Sequence, residues 1–240
     1  FYLYDEDEIL NEISVNSYNE NQIYDFIVVG AGPAGSILSL NLAKKGKKVL
    51  LIDEGGYYNI PSKKHPASEF YNKWRNGGII STIFPDQVSF SSGIGLGGGS
   101  EINSGLLHYP TNSFIDKTKQ KYDVKDFNKN TIQEYLENLI NYMNIEKKND
   151  KKNKDCSKIF LKICKDANVN VNKIPRMMNN SQIIPEIKRS MTNTFLKDFL
   201  KNQHSNILIK TKVKKIKKIN NNWEIECVKD NKKFNIKSSN

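Results

Sequence analysis

The stretch YDFIVVGAGPAGSILSLNLAKKGKKVLLIDEGG, residues 24–56, decides the fold. It opens with YDFIVVG, a short apolar run rich in β-branched residues that ends at glycine, which is typical of a buried parallel strand. A helix is predicted next, ending near Gly46, because glycine favours the helix C-terminus. The following run, KKVLLID, indicates a second buried strand that ends at Asp53. The stretch therefore predicts a βαβ unit. Its helix carries apolar residues at helical spacing: Ile37, Leu38, Leu40, Leu42 and Ala43.

Within this unit, Gly30, Gly32 and Gly35 form a GxGxxG motif between the predicted strand and the predicted helix. In such a motif the first glycine permits a tight turn, the second lets the backbone approach a pyrophosphate, and the third allows close packing of helix on strand. The helix N-terminus adds unpaired N–H groups, and Asp53 can accept hydrogen bonds from ribose hydroxyls. The motif predicts a dinucleotide site over a plain glycine turn, but it does not separate FAD from NAD, since both contain ADP.

The composition narrows the class of protein. The chain has 240 residues and a net charge of +11, which suits one large domain or two small ones. The lysines accompany asparagines, as in EKKNDKKNKD at 146–155, so we interpret them as surface charge and expect no nucleic-acid partner. No run of about 18 apolar residues occurs, so we expect no transmembrane segment. The acidic N-terminus lacks the pattern of a signal peptide, which favours a cytoplasmic location.

Cysteines and histidines are few and scattered, in the positions Cys156, Cys164, Cys227, His65, His108 and His204. The cysteines form no CxxC pair, which favours a reducing compartment. The histidine spacing matches no zinc motif, so we expect no metal site.

The rest of the chain divides by pattern. Residues 57–90 contain several prolines and glycines and are predicted to be loop-like. Helices are predicted over 128–144, 157–167 and 191–203. The runs NILIKTKVKKIKKI, WEIECV and KFNIK then alternate apolar and polar residues with turns between them. They predict a three-stranded antiparallel meander whose lysines lie mostly on the solvent face.

A second glycine cluster, SGIGLGGGSEINSG at 92–105, needs its own explanation. One pyrophosphate requires one glycine loop, whereas a flavin also has a flat ring against which bare backbone can lie. Glycines at 97–99 remove Cβ atoms and permit unusual backbone angles, and Ser100 and Asn103 could supply polar contacts. A plain flexible glycine loop is the alternative.

Together the two glycine motifs resemble the glucose–methanol–choline (GMC) oxidoreductases, flavoenzymes that oxidise alcohols. The stretch 24–56 resembles the family's ADP-binding start, GLGGGSEINSGLLHYP its second motif, and NILIKTKVKKI a later strand on the adenine side. The form of the second motif is most similar to the bacterial long-chain alcohol and sterol oxidase-like branch. The resemblance implies FAD, bound non-covalently because Ile102 stands where some members carry a flavin-linked histidine. It also implies an alcohol substrate and oxygen or another electron acceptor.

The resemblance also assigns the cofactor-binding residues. Those expected at the ADP half of FAD are Gly30, Gly32, Pro33, Ala34, Gly35, Asp53 and Glu54. Those expected near the flavin are Gly98, Gly99, Ser100, Asn103, Ser104 and Leu106. Val213 is expected near the adenine. Asp53 departs from the family's more usual glutamate, which is one carbon longer.

The expected fold is α/β, a Rossmann-like FAD-binding domain interrupted by a mostly helical substrate-domain segment and completed by a β-meander. The expected boundaries are a polar arm at 1–22, FAD domain at 23–110, helical segment at 111–203 and meander at 204–240. The family's catalytic histidine and its partner are expected beyond Asn240, so no catalytic residue is assigned. We expect the chain to be the N-terminal part of a longer enzyme and inactive by itself.

Two other functions remain open. One is a different two-dinucleotide flavoprotein that uses NAD(P)H, although no CxxxxC redox pair and no second GxGxxG occur in the sequence. The other is an FAD-binding protein without catalysis.

Overall fold

The computed structural model describes residues 22–58, 66–83, 86–145, 155–171, 174–178 and 188–239. The described residues form two compact units: unit 1 runs up to 103 and resumes at 190, and unit 2 covers 104–189. These limits differ from the sequence boundaries at 110 and 203, and the division into functional domains stays a prediction. The expected polar arm lies almost wholly outside the described residues, as does His65.

The helices and strands are numbered here along the chain. The strands are β1 (Ile23–Tyr24), β2 (Phe26–Val29), β3 (Val49–Ile52), β4 (Trp74–Ser81), β5 (Ser89–Gly93), β6 (Ser205–Leu208), β7 (Lys212–Ile219), β8 (Asn222–Lys229) and β9 (Lys232–Ser238). The helices are α1 (Pro33–Lys44), α2 (Pro66–Lys73), α3 (Gly99–Ile102), α4 (Asn112–Tyr122), α5 (Lys129–Tyr142), α6 (Asp155–Asp166) and α7 (Phe195–Leu200).

The predicted βαβ unit is confirmed as β2, α1 and β3. Strands β2, β3 and β6 form a parallel sheet in that order, and every residue of β3 is buried. Gly46 ends the helical segment with a φ of 74°, which only glycine adopts without strain. The predicted apolar face of α1 was wrong at Leu38, which is 51% exposed. The buried face instead combines Leu40 and Ala43 with two serines, Ser36 and Ser39.

A second sheet packs against the first. Its order is β1-β9-β8-β7, with β1 parallel to β9 and the other pairs antiparallel. The core between the sheets contains residues from both: Tyr24, Leu50, Ile52, Leu208, Ile225, Cys227 and Ile236. Because every residue of β3 is buried, both faces of this strand must be apolar, which explains why its sequence is a continuous apolar run.

The C-terminal prediction was partly wrong. The run NILIKTKVKKIKKI forms two strands, β6 in the parallel sheet and β7 in the meander, separated at 209–211. Lys210 adopts a φ of 52° there, and the Thr211 N–H donates to the Asp53 carbonyl at 2.9 Å. Apolar alternation continues across the break, so periodicity gave no sign of it. The meander of β7, β8 and β9 is confirmed, and the lysines of β7 are exposed.

Residues 57–90 were also misjudged, since they contain α2 and the hairpin of β4 and β5. Gly77 and Gly78 lie inside β4 with φ values of 71° and 149°, at a point where the β4–β5 register shifts. A glycine pair can mark either a loop or an irregularity inside a strand. The sequence pattern at 57–90 did not distinguish a loop from an irregular strand.

Unit 2 contains α4, α5 and α6. The first two begin at side-chain caps, where Thr111 and Asn128 accept hydrogen bonds from the Phe114 and Thr131 N–H groups. Helices were predicted at α5 and α6, whereas α4 was missed. The third predicted helix, at 191–203, corresponds to α7, which is shorter than predicted. It lies in unit 1. Across the described ranges, no helix has the length and apolar character needed to cross a membrane.

Candidate cofactor site

A cavity of about 420 Å³ opens in unit 1 at the carboxyl ends of the parallel strands. Val29 and Ile52, the last residues of β2 and β3, form part of its wall. This edge of a parallel α/β sheet is where such folds bind ligands. Sequence-predicted residues from four separate segments line it: Gly30, Gly32, Asp53, Glu54, Gly98 and Val213.

The first glycine motif has the geometry that its pattern predicts. Gly30 adopts a φ of 93°, and its N–H donates to the Ile52 carbonyl at 2.7 Å. A Cβ placed on Gly32 would meet no atom within 4 Å, so this position faces open space. A Cβ on Gly35 would lie 1.9 Å from the Gly30 oxygen, so only glycine fits there.

The N-terminus of α1 is open beside this loop. Pro33 is the first helical residue, and no side chain caps the helix at Gly32. Pro33 and Ala34 are both exposed. The unpaired N–H groups of this first turn are suited to an anion.

Asp53 is more constrained than its sequence position suggests. It is 8% exposed, and its two carboxylate oxygens accept hydrogen bonds from the Ala31 N–H at 2.6 Å and the Gly55 N–H at 2.8 Å. Burial raises the pKa of Asp53, and the bonds from Ala31 and Gly55 oppose this rise. Asp53 therefore ties the first glycine loop to the turn at 55. A carboxylate has about four acceptor sites, so two remain for a ligand.

Glu54 presents a second carboxylate to the cavity. It forms an ion pair with Arg75 of β4, and Lys212 Nζ lies 3.9 Å from its other oxygen. Lys212 lines the cavity beside Val213. Sequence reasoning missed both cations, and the only signal for Lys212 was its place next to Val213.

The second glycine motif packs directly on the first. A Cβ on Gly98 would lie 3.2 Å from the Gly32 Cα atom. A Cβ on Gly93 would overlap the Gly98 carbonyl oxygen, and a Cβ on Gly55 would overlap the Ile94 carbonyl oxygen. Three glycine segments thus meet backbone to backbone, which gives these glycines a packing role in addition to the one predicted for the second motif beside the flavin.

Ser100 lies behind this loop. It is 3% exposed, and its hydroxyl donates to the Gly97 carbonyl at 2.8 Å and accepts from the Met191 N–H at 3.0 Å. It does not line the cavity. Its side chain therefore secures the loop, and its predicted cofactor contact stays a prediction.

The other residues expected near the flavin are more exposed. Gly99 and Asn103 lie at the two ends of α3, are solvent-exposed and are not among the residues that line the cavity. Ser104 and Leu106 belong to unit 2, where Leu106 pairs with Arg176. The contacts of all four with a cofactor stay predictions.

The described histidines lie on the surface. His108 is exposed in unit 2, and His204 is exposed in unit 1, where its carbonyl accepts the Val49 N–H at 3.0 Å. Among the described residues, no three His, Cys, Asp or Glu side chains are grouped to hold a metal ion.

Solved structures confirm the predicted α/β, Rossmann-like fold. Pyridoxine 4-oxidase from Mesorbium loti superposes with a TM-score of 0.67 at 15% identity, over 90% of this chain and 48% of that one. A fungal aryl-alcohol oxidase gives a TM-score of 0.62 at 14% identity, over 92% and 45% of the two chains. The chain thus spans about half the length of these proteins.

Sequence comparison identifies the family. A long-chain-alcohol oxidase of Arabidopsis thaliana is 25% identical over 159 residues, 65% of this chain and 21% of that protein. A GMC-type oxidoreductase of Sinorhizobium fredii is 29% identical over 112 residues, 46% of this chain and 22% of that protein. The GMC oxidoreductase family profile matches residues 24–239. The chain therefore belongs to the GMC oxidoreductases, a family of flavoproteins.

Proposed function

We propose that this chain forms the FAD-binding part of an oxidoreductase that converts an alcohol to an aldehyde or ketone. The observation that carries the proposal is the convergence of both glycine motifs, two acidic residues and Val213 on one cavity. When bound, FAD supplies a hydride acceptor at N5, and oxygen or another acceptor then restores it.

The chain's own residues would hold the ADP half. Gly32 leaves space for a pyrophosphate beside the open N-terminus of α1. Asp53 and Glu54 offer carboxylate acceptors to ribose hydroxyls. Val213, at the start of β7, would contact the adenine.

The second glycine motif favours FAD over NAD. Gly95 and Gly98 line the same cavity as the first motif, so a ligand that fills the cavity meets bare backbone from both loops. Beyond ADP, NAD carries a single nicotinamide ring, whereas FAD carries the larger flat isoalloxazine ring, which offers more surface to bare backbone. Family membership supports the same choice.

The alcohol substrate and the cytoplasmic location belong to this proposal for the whole protein, and no residue of this chain is assigned to catalysis. The alternatives from sequence are a flavoprotein that uses NAD(P)H and an FAD-binding protein without catalysis.

A direct test is to titrate the purified 240-residue chain with FAD, ADP and NAD and to measure each affinity by calorimetry. Flavin fluorescence provides a second measure of FAD binding. We expect FAD to bind more tightly than ADP, because it contacts both glycine loops, and NAD to bind weakly. Equal affinity for FAD and ADP would contradict the role of the second motif. No binding of FAD would refute the proposal.

A second test separates the enzyme classes and uses the protein from its native source. The bound flavin should be bleached by primary or secondary alcohols under anaerobic conditions and remain oxidised with NADH. Bleaching by NADH alone would favour the NAD(P)H-dependent alternative, and bleaching by neither would favour the non-catalytic one.

A further inference from the structure

Residues 190–194, with the sequence SMTNT, are hydrogen-bonded to the second glycine motif although about 91 positions separate them. The Met191 N–H donates to Ser100 Oγ at 3.0 Å. The hydroxyl and the backbone N–H of Thr192 both donate to Glu101 Oε1, at 3.0 Å and 3.4 Å. We name Ser100, Glu101 and residues 190–194 the polar clamp.

The clamp is braced internally. The Ser190 N–H donates to Asn193 Oδ1 at 3.0 Å, and the Thr194 hydroxyl donates to the Ser190 carbonyl at 2.5 Å. Ser190 and Thr194 are 3% and 7% exposed. The Thr194–Ser190 and Met191–Ser100 bonds are buried, and movement of the segment would leave these polar groups unpaired. The segment can therefore hold the glycine loop firmly.

The glycine loop needs an external support. Gly97 and Gly98 have φ values of 91° and 56°, and glycine loses more conformational freedom on ordering than any other residue. These residues have no side chains with which to fix themselves. Gly97 also makes room for the clamp, since a Cβ there would overlap the Glu101 carboxylate.

We propose that the polar clamp positions the second glycine motif for the part of FAD that lies beyond ADP, with Thr192 and Glu101 as positioning residues. The proposal rests on the proposed FAD function. The clamped loop reaches the cavity at Gly95 and Gly98, whereas the predicted ADP contacts come from other segments. Loosening the clamp should therefore weaken FAD binding selectively.

The test compares Thr192→Val, which keeps the shape and removes the hydroxyl, with Thr192→Ser, which keeps the hydroxyl. Affinities for FAD and ADP are measured by calorimetry on the full chain. A hydrogen bond to a charged group justifies an expected loss of up to about tenfold for FAD in Thr192→Val. We expect ADP affinity to change less than about twofold and Thr192→Ser to bind FAD like the wild type. Thr118→Val in α4 of unit 2, outside the clamp, is the matched control.

The outcomes are distinct. Unchanged FAD affinity in Thr192→Val, or an equal loss for FAD and ADP, overturns the proposal, because the clamp would then be dispensable or merely structural. Failure of the wild type to bind FAD overturns the proposed function and the clamp together. If Thr192→Val does not fold, Glu101→Gln provides the same test, because it keeps the size of the side chain and removes the charge that Thr192 contacts.

Discussion

Replacing Gly35 with alanine tests whether the first glycine motif is built for close packing. The new Cβ would lie 1.9 Å from the Gly30 oxygen, 3.1 Å from the Gly30 carbonyl carbon and 3.4 Å from Val28 Cγ1. Optimal carbon contacts are about 3.5–4.0 Å, and the nearest atom belongs to the backbone, so no rotamer change relieves the overlap. Helix α1 must move away from β2.

The magnitude follows from two opposing effects. Overpacking against well-packed neighbours costs about 1–3 kcal/mol, and the upper end applies because the neighbour is backbone. Alanine regains up to about 1 kcal/mol through its better helix propensity. We expect a net loss of about 2 kcal/mol, which lowers the Tm of a chain of this size by about 4–8 °C. Thermal unfolding followed by circular dichroism measures it.

Gly32→Ala is the matched variant. Gly32 has a φ of −65° and a ψ of −177°, which alanine adopts freely, and its Cβ would meet no atom within 4 Å. The Tm should therefore stay within about 2 °C of the wild type, while FAD affinity falls because the methyl group occupies space meant for the pyrophosphate. A wild-type Tm in Gly35→Ala, or an equal Tm loss in both variants, would refute this reasoning.

Two further predictions concern buried ionisable groups. Burial raises the pKa of Asp53, so ionisation of Asp53 weakens the fold. The contribution of Asp53 to stability is fully present below about pH 4, its ordinary pKa, and declines as the pH rises through the folded pKa. In urea unfolding, the free energy of unfolding of the wild type should exceed that of Asp53→Asn by an amount that shrinks as the pH rises through the folded pKa of Asp53. A difference that does not change with pH would contradict this prediction. Burial also raises the pKa of the Cys227 thiol to about 11, whereas Cys156 is exposed. A thiol reagent at pH 8 should label Cys156 rapidly and Cys227 only after unfolding. Rapid labelling that persists when both Cys156→Ala and Cys164→Ala are introduced would disprove this prediction.

Local patterns predicted the βαβ unit because its signals lie within a few residues of one another. The apolar strands, Gly46 and the first glycine motif each act on their immediate neighbours. The errors have a different origin. Leu38 was assigned to a buried face by spacing alone, but the buried face of α1 instead includes Ser36 and Ser39. The break at Lys210 depends on its neighbour Thr211, which is hydrogen-bonded to Asp53, a contact that periodicity does not encode.

Part of the cavity lining was selected from the sequence, but the contacts that connect its segments were not. Gly30, Gly32, Asp53, Glu54, Gly98 and Val213 were all selected from the sequence and all line one cavity. Arg75, Lys212 and the polar clamp were missed, because each matters only through a partner distant in the chain. A single sequence contains no signal for such pairs beyond the residue types themselves.

The second glycine motif is explained by these connections. Had its glycines served only a flat ligand, the loop would not need to contact the first motif. Instead Gly98 lies against Gly32, and the clamp holds the loop from behind through Ser100. At Gly55 and Gly93 an added Cβ would lie 1.7 Å and 2.5 Å from backbone oxygens of Ile94 and Gly98, so packing itself requires bare backbone there. These glycines therefore serve the fold in addition to any contact that the second motif makes with a ligand.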